Sequence, residues 1–587
     1  MGSVAIVVTI LAVWMGYKFY AGNVDRNVLR ADPAKATPAK LYNDGVDFMP
    51  ASSAVLFGYQ FKSIAALGPI VGPIVAVQWG WLPAILWLIL GVFFVGWIHD
   101  YVSAFMAMRN DGLTMGGLSY KLISPRARNI LLSFLYFYLL LIMGAFGAIA
   151  AALFANPKVA FGFIILTLAG VLSGQMTYKW RKDLMITTVV CVGLAVLGIW
   201  LGTKGPFMAI VNWINGLDII SYATPYGPMK WSVFFWGIVV LFFCYLGSVL
   251  PIWRFAQPVN YVAFWLVLFG ILGSILGIFI TMPSFGDFPA FTSFYAKGII
   301  APGVDTPLWP ILFVTIACGA CSGWHSLVST SGTARQLEKE TDCLPVNAGA
   351  MYTECVLGVL SMVFAVTAFA GAKGNMAGYL DALKAGGPAG VFANGMANYL
   401  NVLGIARDFG VAFGSAFLVI MALTVMQLVL RFMRVASAEL VGPVIPAFRN
   451  VHFGTIVGVL LTLLLMWTGF WSRIWILFGG SNQLFAGLAL VLITLWLANT
   501  GKSYGWALWP AVFMYVTTIF ALIFTAWTSY QAMFAPGLKA AFVFGNAIAA
   551  LMGFALAILS LILAFDALKA FNKVRKGKTL KAAAARA

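Results

Sequence analysis

Apolar runs of about twenty residues recur along nearly the whole chain, and this restricts the fold more than any other feature. In hydrocarbon every backbone amide and carbonyl must find its partner within the protein, so such a chain folds as a bundle of membrane-crossing helices. A barrel would instead show alternating segments of about ten residues, and the sequence lacks them. With 62% hydrophobic and 9% charged residues among 587, no soluble domain is long enough to carry a separate enzyme. We read about fifteen spans: 3–20, 53–79, 82–108, 129–154, 158–174, 183–202, 231–258, 260–282, 309–337, 347–371, 408–432, 452–470, 473–498, 506–528 and 539–566. Segment 3–20 lacks a basic leader and a clear cleavage site, so it is expected to be a retained span.

The net charge of +18 follows from membrane topology and implies no nucleic-acid partner. Threading the spans puts 25 Lys and Arg on one face and 9 on the other, with Lys18 and Lys62 set aside as embedded. The positive-inside rule then expects the N-terminus outside and the C-terminus in the cytoplasm. Segments 203–230, 283–308 and 372–407 become external loops able to act as lids, and 572–587 a solvated basic tail. The six cysteines lie in or beside apolar segments, against an extracellular disulfide framework.

Three spans carry helix breakers. Segment 56–80 contains Gly68-Pro69 and Gly72-Pro73, segment 231–258 contains Gly247, Ser248 and Pro251, and segment 309–337 contains Gly319, Gly323 and Gly332. Freed backbone groups at membrane depth are tolerated where they are buried in protein or line a cavity, as in the broken helices of transporters. A kinked structural helix is the competing reading.

The stretches LYNDGVDFMPASSAVLFG, GPIVGP, SVLPIW, WPILFVTIACGACSGWHSLVSTSGTARQLEKE and SRIWILFGGSNQLFAGLAL resemble the carbon starvation protein A family, in that family's order and to about residue 500. The resemblance implies a bacterial inner-membrane secondary transporter importing short peptides or pyruvate when carbon is scarce. It also implies the amino acid–polyamine–organocation superfamily, with a LeuT-like five-plus-five inverted-repeat core. On that basis we expect an all-α polytopic fold. A first helix would occupy 1–50, a core 51–432 (repeats near 51–202 and 231–432) and additional helices 433–587. Segment 53–79 would be core helix one, 231–258 core helix six and 309–337 core helix eight. Two positions depart from the family pattern: Tyr59-Gln60 replaces the usual histidines, and Pro258-Val259-Asn260-Tyr261 lacks the usual Arg-Asp pair.

Charges within the bilayer are costly and therefore functional candidates. His99-Asp100 can exchange a proton, or can snorkel and pair with Arg109. His325 can bind a substrate anion or relay a proton, or pack against a carbonyl. Glu354 can carry a proton or pair with a basic residue. Lys62 and Arg254 can attract an anion, although snorkelling accounts for them more simply. Free amides at half-helix N-termini suit a carboxylate. Substrate contact is therefore assigned to Gly68, Pro69, Gly72, Gly247 and Ser248, with Gln60, Trp253 and His325 beside them, and Trp324 as a weaker candidate. Ion coupling is assigned to Ser326, Ser329 and Thr330 for sodium, or to His99, Asp100 and Glu354 for the proton. Cys318, Cys321 and His325 share a face at i, i+3 and i+7, but a fourth ligand is lacking, and tight packing by small residues is the default. No cofactor is expected beyond the coupling ion, H+ or Na+. The expected partners are a small-molecule substrate and the lipid bilayer. A nutrient sensor using the same site is the alternative, although the short tail offers no signalling output.

Overall fold

The computed structural model describes residues 1–298, 304–367 and 375–577. Parts of the expected loops 283–308 and 372–407, the end of span 347–371 and most of the basic tail therefore lie outside the described residues. The fold is all-α and polytopic apart from two short hairpins, Tyr222–Thr224 with Gly227–Met229 and Tyr295–Lys297 with Asp305–Pro307. Among the described residues, thirteen helices are long and apolar enough to cross a membrane, and the bent pair Ser53–Ile64 and Gly68–Trp79 makes a fourteenth. The fifteenth expected span consists of three pieces, Leu308–Thr315, Ala317–Cys321 and Gly323–Ser331, each too short to cross alone. All six cysteines are buried and unpaired.

These two interrupted spans, the first and second broken helices, lie side by side and antiparallel. At the face rich in Lys and Arg, the basic face, Met49 N–H donates to Arg335 O (3.2 Å) and Ala51 N–H to Gln336 O (3.0 Å). At the opposite face Trp79 Nε1 donates to Thr306 O (3.2 Å). A long span follows each of them, Trp81–Met108 and Glu340–Thr367. The two units thus have the same plan in opposite directions.

This pairing corrects one expectation. Segment 231–258 is not a broken core helix. Trp231–Val249 runs without interruption, Leu250 turns extended (φ −78, ψ 153), and Ala256–Thr281 begins a separate span. Pro251 is the cause, because it disfavours the helical conformation in the residue before it. Its breakers form a link between spans, and the counterpart of the first broken helix is 309–337.

The first joint also lies earlier than the Gly-Pro pairs suggest. The bend of 46° falls at residues 65–67, and Gly68-Pro69 opens the outer half-helix. Proline is tolerated there because the first amides of a helix have no partner in any case. Gly68 and Gly72 serve close approach. A Cβ on Gly68 would lie 2.2 Å from Cys318 Sγ, and one on Gly72 would lie 2.4 Å from Thr315 O. The second broken helix therefore touches the backbone of the first.

Segment 376–401, expected as a loop, is a helix kinked at Gly387 (φ 61, ψ −173) before Pro388. Tyr379 OH donates to Ile74 O (2.6 Å), which ties this helix to the outer half of the first broken helix.

We expect Gly72→Ala to destabilise the protein by about 1–3 kcal/mol, the cost of overpacking. Gly193→Ala, where the added carbon meets nothing within 4 Å, serves as the reference. Thermal melts of the two variants in detergent check this, and equal melting temperatures would show that the helices do not meet as described.

Candidate functional site

The joint of the first broken helix leaves carbonyls without helical partners. The carbonyl of Ala65 would accept from residue 69, which is a proline and has no N–H to give. Lys62 supplies the missing donor, with Nζ 3.1 Å from Ala65 O. The carbonyl of Ser63 accepts from the indole Nε1 of Trp324 at 2.7 Å, across from the second broken helix. Lys62 is fully buried, as are the joint residues 65–67. The snorkelling account of Lys62 is therefore wrong, because its side chain turns inward to the break. Arg254, by contrast, is exposed in the link after Pro251.

Four ionisable side chains meet beside this joint. Residues Ile98–Val102 form a π-helical turn, which carries both His99 and Asp100 into the core. Such single-turn expansions concentrate at functional sites. Asp100 lies 2.7 Å from Nδ1 of His99 and 3.3 Å from Nδ1 of His325. The other nitrogen of His325 lies 3.2 Å from Glu354. All four side chains are fully buried, and Lys62 is electrostatically coupled to Glu354. Arg109, the alternative partner of Asp100, pairs instead with Glu340 at 2.6 Å. Beyond these contacts with one another, the carboxylate oxygens of Asp100 and Glu354 and both nitrogens of His99 have no hydrogen-bond partner within the protein.

Charge balance shows what the cluster can do. Two carboxylates and one ammonium leave one negative charge in a place where unbalanced charge is expensive. One further proton on an imidazole or a carboxylate neutralises it. The chain His99–Asp100–His325–Glu354 crosses from span Trp81–Met108 through the second broken helix to span Glu340–Thr367. A proton can move along it between elements of both units.

The hydroxyls expected to coordinate sodium each make hydrogen bonds within the protein. Ser326 Oγ donates to Gly323 O (2.8 Å) and Thr330 Oγ1 to Ser326 O (2.8 Å), both within their own helix. Ser329 Oγ accepts from Gln60 Nε2 (3.1 Å) and from Asn347 Nδ2 (3.0 Å). Gln60 also accepts from Thr333 Oγ1. Gln60 thus faces the second broken helix.

The remaining predicted positions divide in two. Gly68, Pro69 and Gly72 lie at the contact between the broken helices. Gly247, Ser248 and Trp253 lie away from it, near the basic face. Gly247 is backed by Gln427, Ser248 Oγ is 2.9 Å from Thr455 Oγ1, and Trp253 Nε1 donates to Gly45 O (2.9 Å).

The Cys318–Cys321–His325 face does not form. The helix breaks at Ser322 (φ −73, ψ 129), and His325 turns to the carboxylates. Cys318 Sγ accepts from Asn482 Nδ2 at 3.0 Å. Among the described residues no group of three or more His, Cys, Asp or Glu is placed to hold a metal ion.

Sequence reasoning missed Asn347, Asn482 and the inward role of Lys62. Asn482 caps the last piece of the second broken helix, its Oδ1 accepting from Trp324 N–H (3.3 Å) and Ser322 Oγ (3.0 Å). The available signal for the two asparagines was an uncharged amide within or beside an apolar span.

The family described as carbon starvation protein CstA matches residues 1–379 and 372–521. The chain belongs to this family. Among its CstA relatives is a peptide transporter of Bacillus subtilis (strain 168), 28% identical over 560 residues and covering 89% of this chain and 90% of the relative. The peptide transporter CstA of Escherichia coli (strain K12) is 28% identical, covering 92% and 82% respectively. The pyruvate/proton symporter BtsT of the same organism is 27% identical, covering 88% and 81%. These are names of transporters. Among solved structures it is similar to MhsT in complex with L-phenylalanine, with 13% identity, a TM-score of 0.40, and coverage of 88% of this chain and 99% of that one.

A double-mutant cycle between Asp100→Asn and His325→Gln, read by unfolding in detergent, should give a coupling of about 1–3 kcal/mol. Additive effects would mean that the two groups do not share charge.

Proposed function

We propose that this CstA-family chain is a proton-coupled secondary transporter of the bacterial inner membrane, with its basic face in the cytoplasm. It imports a small carboxylate nutrient, a short peptide or pyruvate, and serves the cell when carbon is scarce. The observation that carries this reading is the buried His99–Asp100–His325–Glu354 chain beside the joint of the first broken helix, which together with the ammonium of Lys62 takes up one proton to reach neutrality.

The cycle is alternating access. The joint residues 65–67 are buried, with Met49 and Ala51 bonded to the second broken helix at the basic face and the helix Met376–Asn401 tied to the outer half-helix through Tyr379. Protonation removes the net negative charge of the cluster, which lowers the cost of admitting a substrate carboxylate nearby. Release to the cytoplasm frees the proton and restores the charge. A ligand drives such a cycle only through unequal affinity for the two states, and a shared proton provides that inequality. The proton is favoured over sodium because the net negative charge of the cluster is met by a proton, whereas Ser329 Oγ already accepts two hydrogen bonds, from Gln60 and Asn347. At the joint itself, the carbonyl of Ala65 already has an ammonium.

Names of relatives divide between peptides and pyruvate, and both offer a carboxylate. Purified protein in proteoliposomes is expected to accumulate labelled pyruvate or a labelled dipeptide under an inward proton gradient and not under a sodium gradient. Asp100→Asn and Glu354→Gln should abolish accumulation while sparing exchange of substrate across the vesicle membrane at equal pH. Sodium-driven uptake that Ser329→Ala removes would overturn the proton reading. Binding without flux would favour a sensor.

A further inference from the structure

A second set of buried charges lies toward the basic face, apart from the proton cluster. Arg431 and Arg434, on the helix Arg407–Leu440, are only 2% and 8% exposed. Arg335, at the end of the second broken helix, completes the group, and the three guanidinium groups act on one another and on Asp47. Asp47 reaches Arg431 through one contact, Nη1 to Oδ1 at 3.1 Å. Arg431 also donates from Nη2 to Leu250 O. Arg335 donates from Nε to Gly112 O (3.0 Å) and stacks on Phe48 at 4.9 Å. The Nε groups of Arg431 and Arg434 are buried and have no partner. Glu439 and Asp44 also act on Arg335, but both are engaged. Glu439 accepts from Thr114 Oγ1 (3.0 Å), and Asp44 accepts three amides of its own turn.

Guanidinium groups bind carboxylates best through two parallel bonds, and three of them around one singly bonded carboxylate leave donors unused. The segment that carries Asp47 is shaped as an insert. Asp44 Oδ1 accepts from Val46, Asp47 and Phe48 N–H at 2.8–2.9 Å, which fixes the turn. Val46 O accepts from Ile252 N–H (3.0 Å), which fastens the turn to the link between spans.

We propose that Arg431 and Arg434, backed by Arg335, form a carboxylate-binding site on the cytoplasmic exit path, and that Asp47 occupies it as a built-in surrogate while this face is closed. The ligand class is a monocarboxylate or the C-terminal carboxylate of a short peptide, and this rests on the carboxylate substrate proposed above. As the basic face opens, Asp47 withdraws and the substrate carboxylate takes its place.

The test is binding of pyruvate, of glycylglycine and of glycylglycine amide to the full-length protein in detergent, beside uptake by the wild type. Asp47→Asn removes the competing anion, and should tighten binding of the cognate acid about tenfold, the scale of one charge-assisted hydrogen bond. Binding of the amide should not change. Arg434→Gln in the Asp47→Asn background should cancel the gain. Arg434 makes no contact with Asp47 at ion-pair distance, so this variant spares the Arg431 pair. Acid binding that Asp47→Asn leaves unchanged or weakens, or equal effects on acid and amide, would reduce the contact to a structural clasp and overturn the site. Wild-type uptake with no gain in Asp47→Asn refutes the site and leaves the transport reading standing. A gain in binding with no uptake by the wild type does the reverse.

Discussion

The carbonyl of Ala65 has no helical partner, because the residue four positions on is Pro69, and the rest of the site follows from this orphan. A bare carbonyl at membrane depth costs several kcal/mol, so a donor must be brought to it. The donor is the ammonium of Lys62, on the same half-helix. An ammonium buried there requires negative charge nearby, and Glu354 and Asp100 lie on neighbouring elements. Two carboxylates exceed one ammonium, and the imidazoles of His99 and His325 stand between them to take up the difference. A break in one helix has thereby brought five ionisable side chains together from four elements.

The same constraint governs packing. The half-helices are short and can be held only by close neighbours, and glycines at 68 and 72 let the second broken helix approach to backbone contact. The second break is stabilised from outside its own span, by Asn482 on the helix Phe478–Asn499. The C-terminal helices are therefore part of the core's chemistry. The Trp324 indole then closes the circuit by bonding Ser63 O in the first broken helix. Each break is completed by residues distant in sequence, so the two joints are coupled mechanically as well as electrostatically.

Much of this was legible beforehand where a local rule applies. Span number followed from apolar length, and the breaks at 56–80 and 309–337 from Gly and Pro. Asp100, His325 and Glu354 were singled out because charge in a bilayer is expensive, and the structure brings them together. Reading failed where the same signal has two causes. Gly247 and Pro251 look like a mid-span break but end a helix at the membrane face, since a breaker does not reveal its own depth. Lys62 looks like a snorkelling residue because length and charge alone suit that role. Segment 372–407 read as a loop because its glycines lower helix propensity, yet packing of the helix Met376–Asn401 on its neighbours overrides that preference.

The sequence by itself determined the solvent this protein folds in, the number of its spans, the sidedness of its basic charge and the family to which it belongs. Those properties are sums or local patterns, and each is fixed by residues a few positions apart. Tertiary structure alone decided which broken helix faces which, which buried charges lie within ion-pair distance and which carboxylate meets Arg431. Partners such as Gln60 and Ser329, or Asp47 and Arg431, lie hundreds of residues apart. Their meeting depends on the antiparallel packing of two interrupted spans, and no local pattern in the chain encodes that register.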